Sequence, residues 1–151
     1  MIPSTVDRVR VHTPDSINAE IRSKTIENIA RVAASGPAAI QRRLDELDQE
    51  WDVERMLEAN ASTVSLIGLS LGFAVDRRWF LLPVAVAGFL FQHAVQGWCP
   101  PLPILRSLGF RTQSEIDHER YALKVLRGDF RHVSASALGD DAAQVLEAVE
   151  S

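Results

Sequence analysis

The sequence holds a single cysteine, Cys99, in 151 residues, which excludes an intramolecular disulfide and any two-cysteine metal knuckle. It also lacks an excess of positive charge. The net charge is -4, and nucleic-acid binders normally show a basic face or stripe, so nucleic acid is not an expected partner. From Met1 to Asp7 no basic stretch leads into an apolar run, so a cleavable signal peptide is not expected. There is no nucleophile–base pair, phosphate-binding glycine loop, paired-histidine zinc motif or carboxylate constellation, so neither an enzyme nor a bound cofactor is expected. The sharpest local deficit is in charge: between Glu58 and Trp98 the only Asp, Glu, Lys or Arg residues are Asp76, Arg77 and Arg78.

Two apolar runs flank that triplet, Ala61 to Val75 and Trp79 to Trp98. A spanning helix needs about 20 mainly apolar residues to cross about 30 Å of hydrocarbon. The second run has that length. Trp79 and Trp98 are 19 residues apart, about 28 Å of helix, which sets an indole at each membrane interface. Pro83 falls near the first turn, where a missing N–H matters least. The first run reaches spanning length only if it begins near Met56, with Glu58 and Asn60 at the headgroups. From Trp79 to Phe91 no face carries a polar side chain, whereas a soluble core helix keeps one polar face. The expected fold is therefore all-α: a two-span transmembrane hairpin over residues 56–98, with spans at about 56–75 and 79–98, flanked by amphipathic cytoplasmic helices. The competing reading is the buried core of a soluble helical bundle, or a subunit of a larger complex.

Asp76, Arg77 and Arg78 cap the hairpin turn and mark an aqueous side. Fourteen of the sixteen Lys and Arg residues lie outside the hairpin, which favours cytoplasmic termini. Close to the spans the count is nearer, with Arg55, Arg106 and Arg111 against Arg77 and Arg78.

Small residues suit close helix packing in lipid, where no hydrophobic force drives helices together. Gly68 and Gly72 form a GxxxG pair near Ser65, and Gly88, Gln92 and Gln96 share a stripe on the second span. Amides at such depth bond across helix interfaces for about 0.6 to 2 kcal/mol each. The pattern suits a hairpin packed on itself and on a second copy, a homodimer. Use of GxxxG within one hairpin is the alternative.

Outside the hairpin, residues 1–12 are expected to be a flexible N-terminus, followed by a helical segment over 13–55. Thr13-Pro14-Asp15 starts its first helix, which carries Ile17, Ile21, Thr25, Ile29 and Val32 at helical spacing and ends at Ala34-Ser35-Gly36-Pro37. A second helix carries Ile40, Leu44, Leu47 and Trp51 on one stripe and is expected to run unbroken into the first span. Its polar face is acidic, so anionic lipid would repel it. Residues 99–111 read as a Cys-Pro-rich turn, because Pro100, Pro101 and Pro103 remove donors and fix the backbone. Thr112 and Glu115 form a capping-box pattern opening an amphipathic helix within 112–128 that ends at Gly128. Residues 129–151 read as a linker and a short terminal helix.

Gly97-Trp98-Cys99-Pro100, followed by Leu102, Leu105 and Leu108-Gly109-Phe110 just after a short-looped hairpin, resembles the YgaP-like transmembrane domain, a bacterial family of unknown function. The resemblance covers about residues 53 to 112. The stretches Leu47 to Arg55 and Glu119 to Lys124 are similar to extensions of stand-alone members. The resemblance implies a multi-pass bacterial inner-membrane protein that forms homodimers. In some relatives such a hairpin anchors a rhodanese sulfurtransferase domain. The 52 residues before the resemblance are too few for that fold and contain no cysteine.

Two residues are candidates for chemistry. Cys99 is a possible redox or sulfur-accepting thiol, although the negative end of a helix dipole beside it disfavours a thiolate, and a structural role in the Cys-Pro turn is the bland account. His93 is an ionisable residue within the second span and so a functional candidate. A neutral imidazole bonded to Gln92, Gln96 or a backbone carbonyl is the plainer account. A metal site from His93, Cys99 and His118 has no paired spacing behind it, so no metal is expected. The expected function is a non-enzymatic assembly or scaffold protein of the membrane, its partners the lipid bilayer, a second copy and an unidentified membrane or cytoplasmic protein. A sulfur relay or redox protein using Cys99 with a separate sulfurtransferase is the alternative.

Overall fold

The computed structural model describes residues 4–132 together with Val145, Leu146 and Val149. Every element among them is helical: α1 (Asp15–Ala34), α2 (Pro37–Gln49), α3 (Val53–Ala74), α4 (Leu81–Gln96), α5 (Leu102–Ser107) and α6 (Gln113–Arg127), with 3-10 turns at Arg10–His12, Arg77–Phe80 and Asp129–His132. The expected helix over 140–150 lies largely outside the described residues. The chain divides into two compact units, one of residues up to Ser23 with Trp51–Glu115, the other of Lys24–Glu50 with the segment from Ile116 onward.

In the first unit α3 and α4 form a helical hairpin. Asp76 accepts from the Arg78 N–H at 2.8 Å and opens the 3-10 turn that reverses the chain. Near the turn Gly68 and Gly72 allow the helices to touch, since a Cβ on Gly68 would stand 2.7 Å from Pro83 Cδ and one on Gly72 would stand 2.6 Å from the Phe80 ring. Phe73 meets Phe80 edge to face, centroids 5.0 Å apart. Among the described residues one helical stretch, Arg77–Gln96, is long and apolar enough to cross a membrane, with mean hydropathy 1.4 and only 6% of its most apolar window buried. α3 is not such a stretch, because Glu54, Arg55 and Glu58 occupy its first turns and Asn60, Ser62, Thr63, Ser65 and Ser70 dilute the rest.

Three expectations fail here for physical reasons. α2 does not run into α3: Glu50 is extended, Asp52 caps the new helix by accepting from the Arg55 N–H at 2.7 Å, and the Val53 N–H donates to the Arg111 carbonyl at 2.8 Å. Trp51 thereby leaves the apolar stripe, lies exposed, and stacks under the Arg55 guanidinium at 4.3 Å. Residues 4–12 are no loose leader, since Val9 is buried in the core with Val53, Leu57, Cys99, Leu102 and Leu105. The segment 99–111 also contains a helix, α5, because Pro101 and Pro103 sit at its start, where their missing N–H groups have no partner to lose.

α5 carries the most deeply buried ion of the unit. Arg106 is fully buried and uses all five guanidinium donors: Nε to Thr13 Oγ1, Nη1 to the Phe110 carbonyl and Glu115, and Nη2 to Asn18 Oδ1 and Glu115. The Glu115 contacts are 2.7 and 2.9 Å, a bidentate fork. Burial alone would raise the Glu115 carboxyl, but Arg106 and the Thr112 N–H hold it below its usual range. The Thr112–Glu115 capping box is formed reciprocally, at 2.9 and 3.3 Å.

The second unit closes around Val32, Ile40, Leu44, Leu47, Ile116 and Leu123. Its Glu119 side chain, fully buried, is gripped by Arg43 at 2.8 and 3.2 Å.

Removing one partner of a buried fork leaves a bare charge, at a cost of about 3 to 5 kcal/mol. Arg106→Met should destabilise the chain by that order, measured by unfolding followed by circular dichroism. The double variant Arg106→Met/Glu115→Leu should recover much of the loss.

Candidate functional site

The hairpin sets the first turn of α3 beside the last turn of α4, and the polar groups there converge on Glu54. Capped by Asp52, Glu54 lies at the positive end of the α3 dipole, which favours a carboxylate. His93 is buried in the last turn of α4, with Nε2 2.8 Å from Glu54 Oε2. Arg8 enters from the leader: Nη2 is 2.9 Å from Glu54 Oε1, and Nη1 donates to the Ala94 carbonyl at 3.3 Å, one of those left open at a helix C-terminus. The hydrogen bond with His93 depresses the Glu54 carboxyl below its ordinary range, burial opposes this, and Arg8 adds to the depression.

Gly97 makes that approach possible. It ends α4 in the left-handed region, φ 80°, returning its N–H to the His93 carbonyl at 2.7 Å. A Cβ there would stand 2.3 Å from the Arg8 carbonyl oxygen. Glycine is thus required twice, by its dihedral and by its neighbour.

Two residues later the chain buries Cys99, which is 3% exposed. The thiol interacts with the His93 imidazole, while His93 Nδ1 is buried without a hydrogen bond of good geometry. The imidazole of His93 thus lies between the Cys99 thiol and the Glu54 carboxylate.

The residues expected to carry function fall in different places. His93 and Cys99 come together, but His93 pairs with Glu54 and not with Gln92, Gln96 or a backbone carbonyl. His118 is exposed in the other unit, and among the described residues no group of three His, Cys, Asp or Glu is placed to hold a metal ion. Gly68 and Gly72 are buried inside the hairpin, against Leu82, Pro83 and Phe80. Gly88 and Gln96 are exposed and Gln92 partly so. Trp79 is exposed, Trp98 half-buried, and Arg77 and Arg78 are exposed beside the Asp76 cap.

Glu54 and Arg8 were not expected. Folding the two apolar runs about Asp76 would have set Glu54 level with His93, so its signal lay in the hairpin register. Arg8 had none, being 46 positions from Glu54 in a segment without periodicity. No family model, curated protein or solved structure matches the chain.

A carboxyl depressed on folding stabilises fully above its unfolded value, about pH 4.3 for Glu, and loses that contribution as pH falls through its lower folded value. Glu54→Gln should cost about 1 to 3 kcal/mol near neutral pH. The same variant should flatten the acid limb of melting temperature against pH, a comparison made by thermal scans from pH 7 downward.

Proposed function

We propose that the chain is an integral membrane protein in which α3 and α4 cross the bilayer as a two-span hairpin. One observation carries this: no described residue covers the apolar surface of the hairpin. Leu66, Ile67 and Phe73 on α3 and Val84 and Phe91 on α4 are all more than half exposed, whereas the apolar helix of a soluble fold is buried. Charge is confined to the two ends, Arg8, Glu54 and His93 at one and Asp76, Arg77 and Arg78 at the other. The polar residues of α3 are compatible with lipid when satisfied locally, as Thr63 is by donating to the Ala59 carbonyl at 2.8 Å.

The location we propose is a bacterial inner membrane with cytoplasmic termini. Support comes from the excess of Lys and Arg outside the hairpin and from the resemblance of residues 97–110 to YgaP-like domains. The role we propose is non-enzymatic assembly, with α1, α2 and α6 offered to a protein partner in water. A homodimer would use the α4 stripe of Gly88, Gln92 and Gln96, since the GxxxG face is occupied. A second reading, a sulfur relay through Cys99, is favoured by the imidazole beside the thiol and disfavoured by the burial of that thiol among apolar side chains.

Carbonate washing tests the membrane reading: the full chain should stay with the membrane pellet and leave it only in detergent. Phe91 is 73% exposed, so Phe91→Asp would be harmless or solubilising in a soluble bundle. In a span it should oppose insertion by about 3 kcal/mol and move a large share of the chain out of the membrane fraction. Release of the wild-type chain by carbonate alone would overturn the proposal.

A further inference from the structure

We propose that α5 is a third membrane contact, a short helix lying in the bilayer beside the hairpin with Ile104 and Leu108 against lipid. The inference rests on the membrane reading of α3 and α4 and adds a segment to it. Ile104 and Leu108 stand one turn apart on the outer face of α5, 63% and 70% exposed, while Leu102, Leu105 and Arg106 are buried. A helix face turned toward water normally carries charged or polar side chains. The one charge of α5, Arg106, is instead directed inward, where Thr13, Asn18, Phe110 and Glu115 take its donors.

The depth of α5 follows from what it lies beside. Ile104 borders one apolar groove with Phe89 and Leu90 of α4 and with Leu57 and Val64 of α3. Phe89 lies about 10 Å before the end of α4 at Gln96, so the chain doubles back after Gly97 and brings α5 level with the uncharged part of the hairpin. Its outer face thereby continues the surface that the two spans offer to lipid. The backbone of the segment fits that place, because lipid tolerates only backbone groups that find partners within the protein. Pro101 and Pro103 have no N–H to satisfy, and the N–H groups of Leu102 and Leu105 donate to the Cys99 and Pro101 carbonyls, both at 3.1 Å. At the other end Leu108 and Gly109 donate to the Ile104 and Arg106 carbonyls at 3.0 Å and Phe110 to that of Leu105 at 3.1 Å. The exposed Ser107 hydroxyl donates to the Ile104 carbonyl at 2.8 Å. A segment facing water has no need of this, since water itself pairs such groups.

The test uses the full chain carrying Cys99→Ala in vesicles of phosphatidylethanolamine and phosphatidylglycerol, with a nitroxide on the single cysteine of Ile104→Cys or Leu108→Cys. Both positions face outward, so the label does not enter the core. Phe91→Cys and Ser16→Cys, labelled in the same way, supply the hydrocarbon and aqueous references. Power-saturation electron paramagnetic resonance reads collisions with oxygen, which concentrates in lipid, and with a water-soluble nickel chelate. At positions 104 and 108 the ratio of oxygen to chelate collisions should be shifted above that of the Ser16 reference, toward that of Phe91. A ratio equal to the Ser16 reference, with Phe91 in hydrocarbon, puts α5 in water and overturns this inference while leaving the two spans in place. Few collisions with either reagent mean a covering of protein and overturn it as well. A Phe91 label as open to the chelate as the Ser16 label overturns the membrane reading, and this inference with it.

Discussion

Glu54 holds a half-buried negative charge at the start of α3, and partial burial of a carboxylate calls for opposite charge and hydrogen bonds around it. His93 Nε2 at 2.8 Å and Arg8 Nη2 at 2.9 Å meet that requirement. In doing so they fix three separate pieces of chain: the start of α3, the end of α4, and a leader with little secondary structure of its own. The other end of the hairpin is fixed by shape, with Gly68 and Gly72 admitting Leu82, Pro83 and Phe80. A pair of helices held by charge at one end and by close packing at the other has one register. That register determines where Cys99 emerges after Gly97.

Arg106 imposes the same constraint a few residues on. Its five donors tie α5 to Thr13, Asn18 and Glu115, and this tie sets Leu102 and Leu105 of α5 against Val9, Val53 and Leu57. The apolar core of the unit is small, so the buried Arg106–Glu115 fork supplies specificity that a few aliphatic side chains would not. The features of the Gly97-to-Phe110 stretch acquire physical reasons in this setting. Gly97 lets Arg8 pass, Cys99 fills a small apolar position, the prolines open α5, and Gly109, with φ 92°, turns the chain so that Phe110 packs on the core and offers its carbonyl to Arg106.

What could be read from the amino acids was what is local. Pro14-Asp15, the Thr112–Glu115 box and Gly128 bound α1 and α6 because caps and glycine stops act over a few residues. The all-helical class followed from periodicity and from the uncharged runs. The break between α2 and α3 was written in Asp52, a good capping residue, but the continuing apolar stripe from Ile40 to Trp51 pointed past it. Only the Arg111 carbonyl, which takes the Val53 N–H from the far side of the hairpin, decides that competition. The site itself was half visible. His93 and Cys99 stood out as an ionisable group and a thiol in an apolar run, whereas Glu54 read as one more charge before a span and Arg8 as part of a loose end. Long-range ion pairs leave no local pattern.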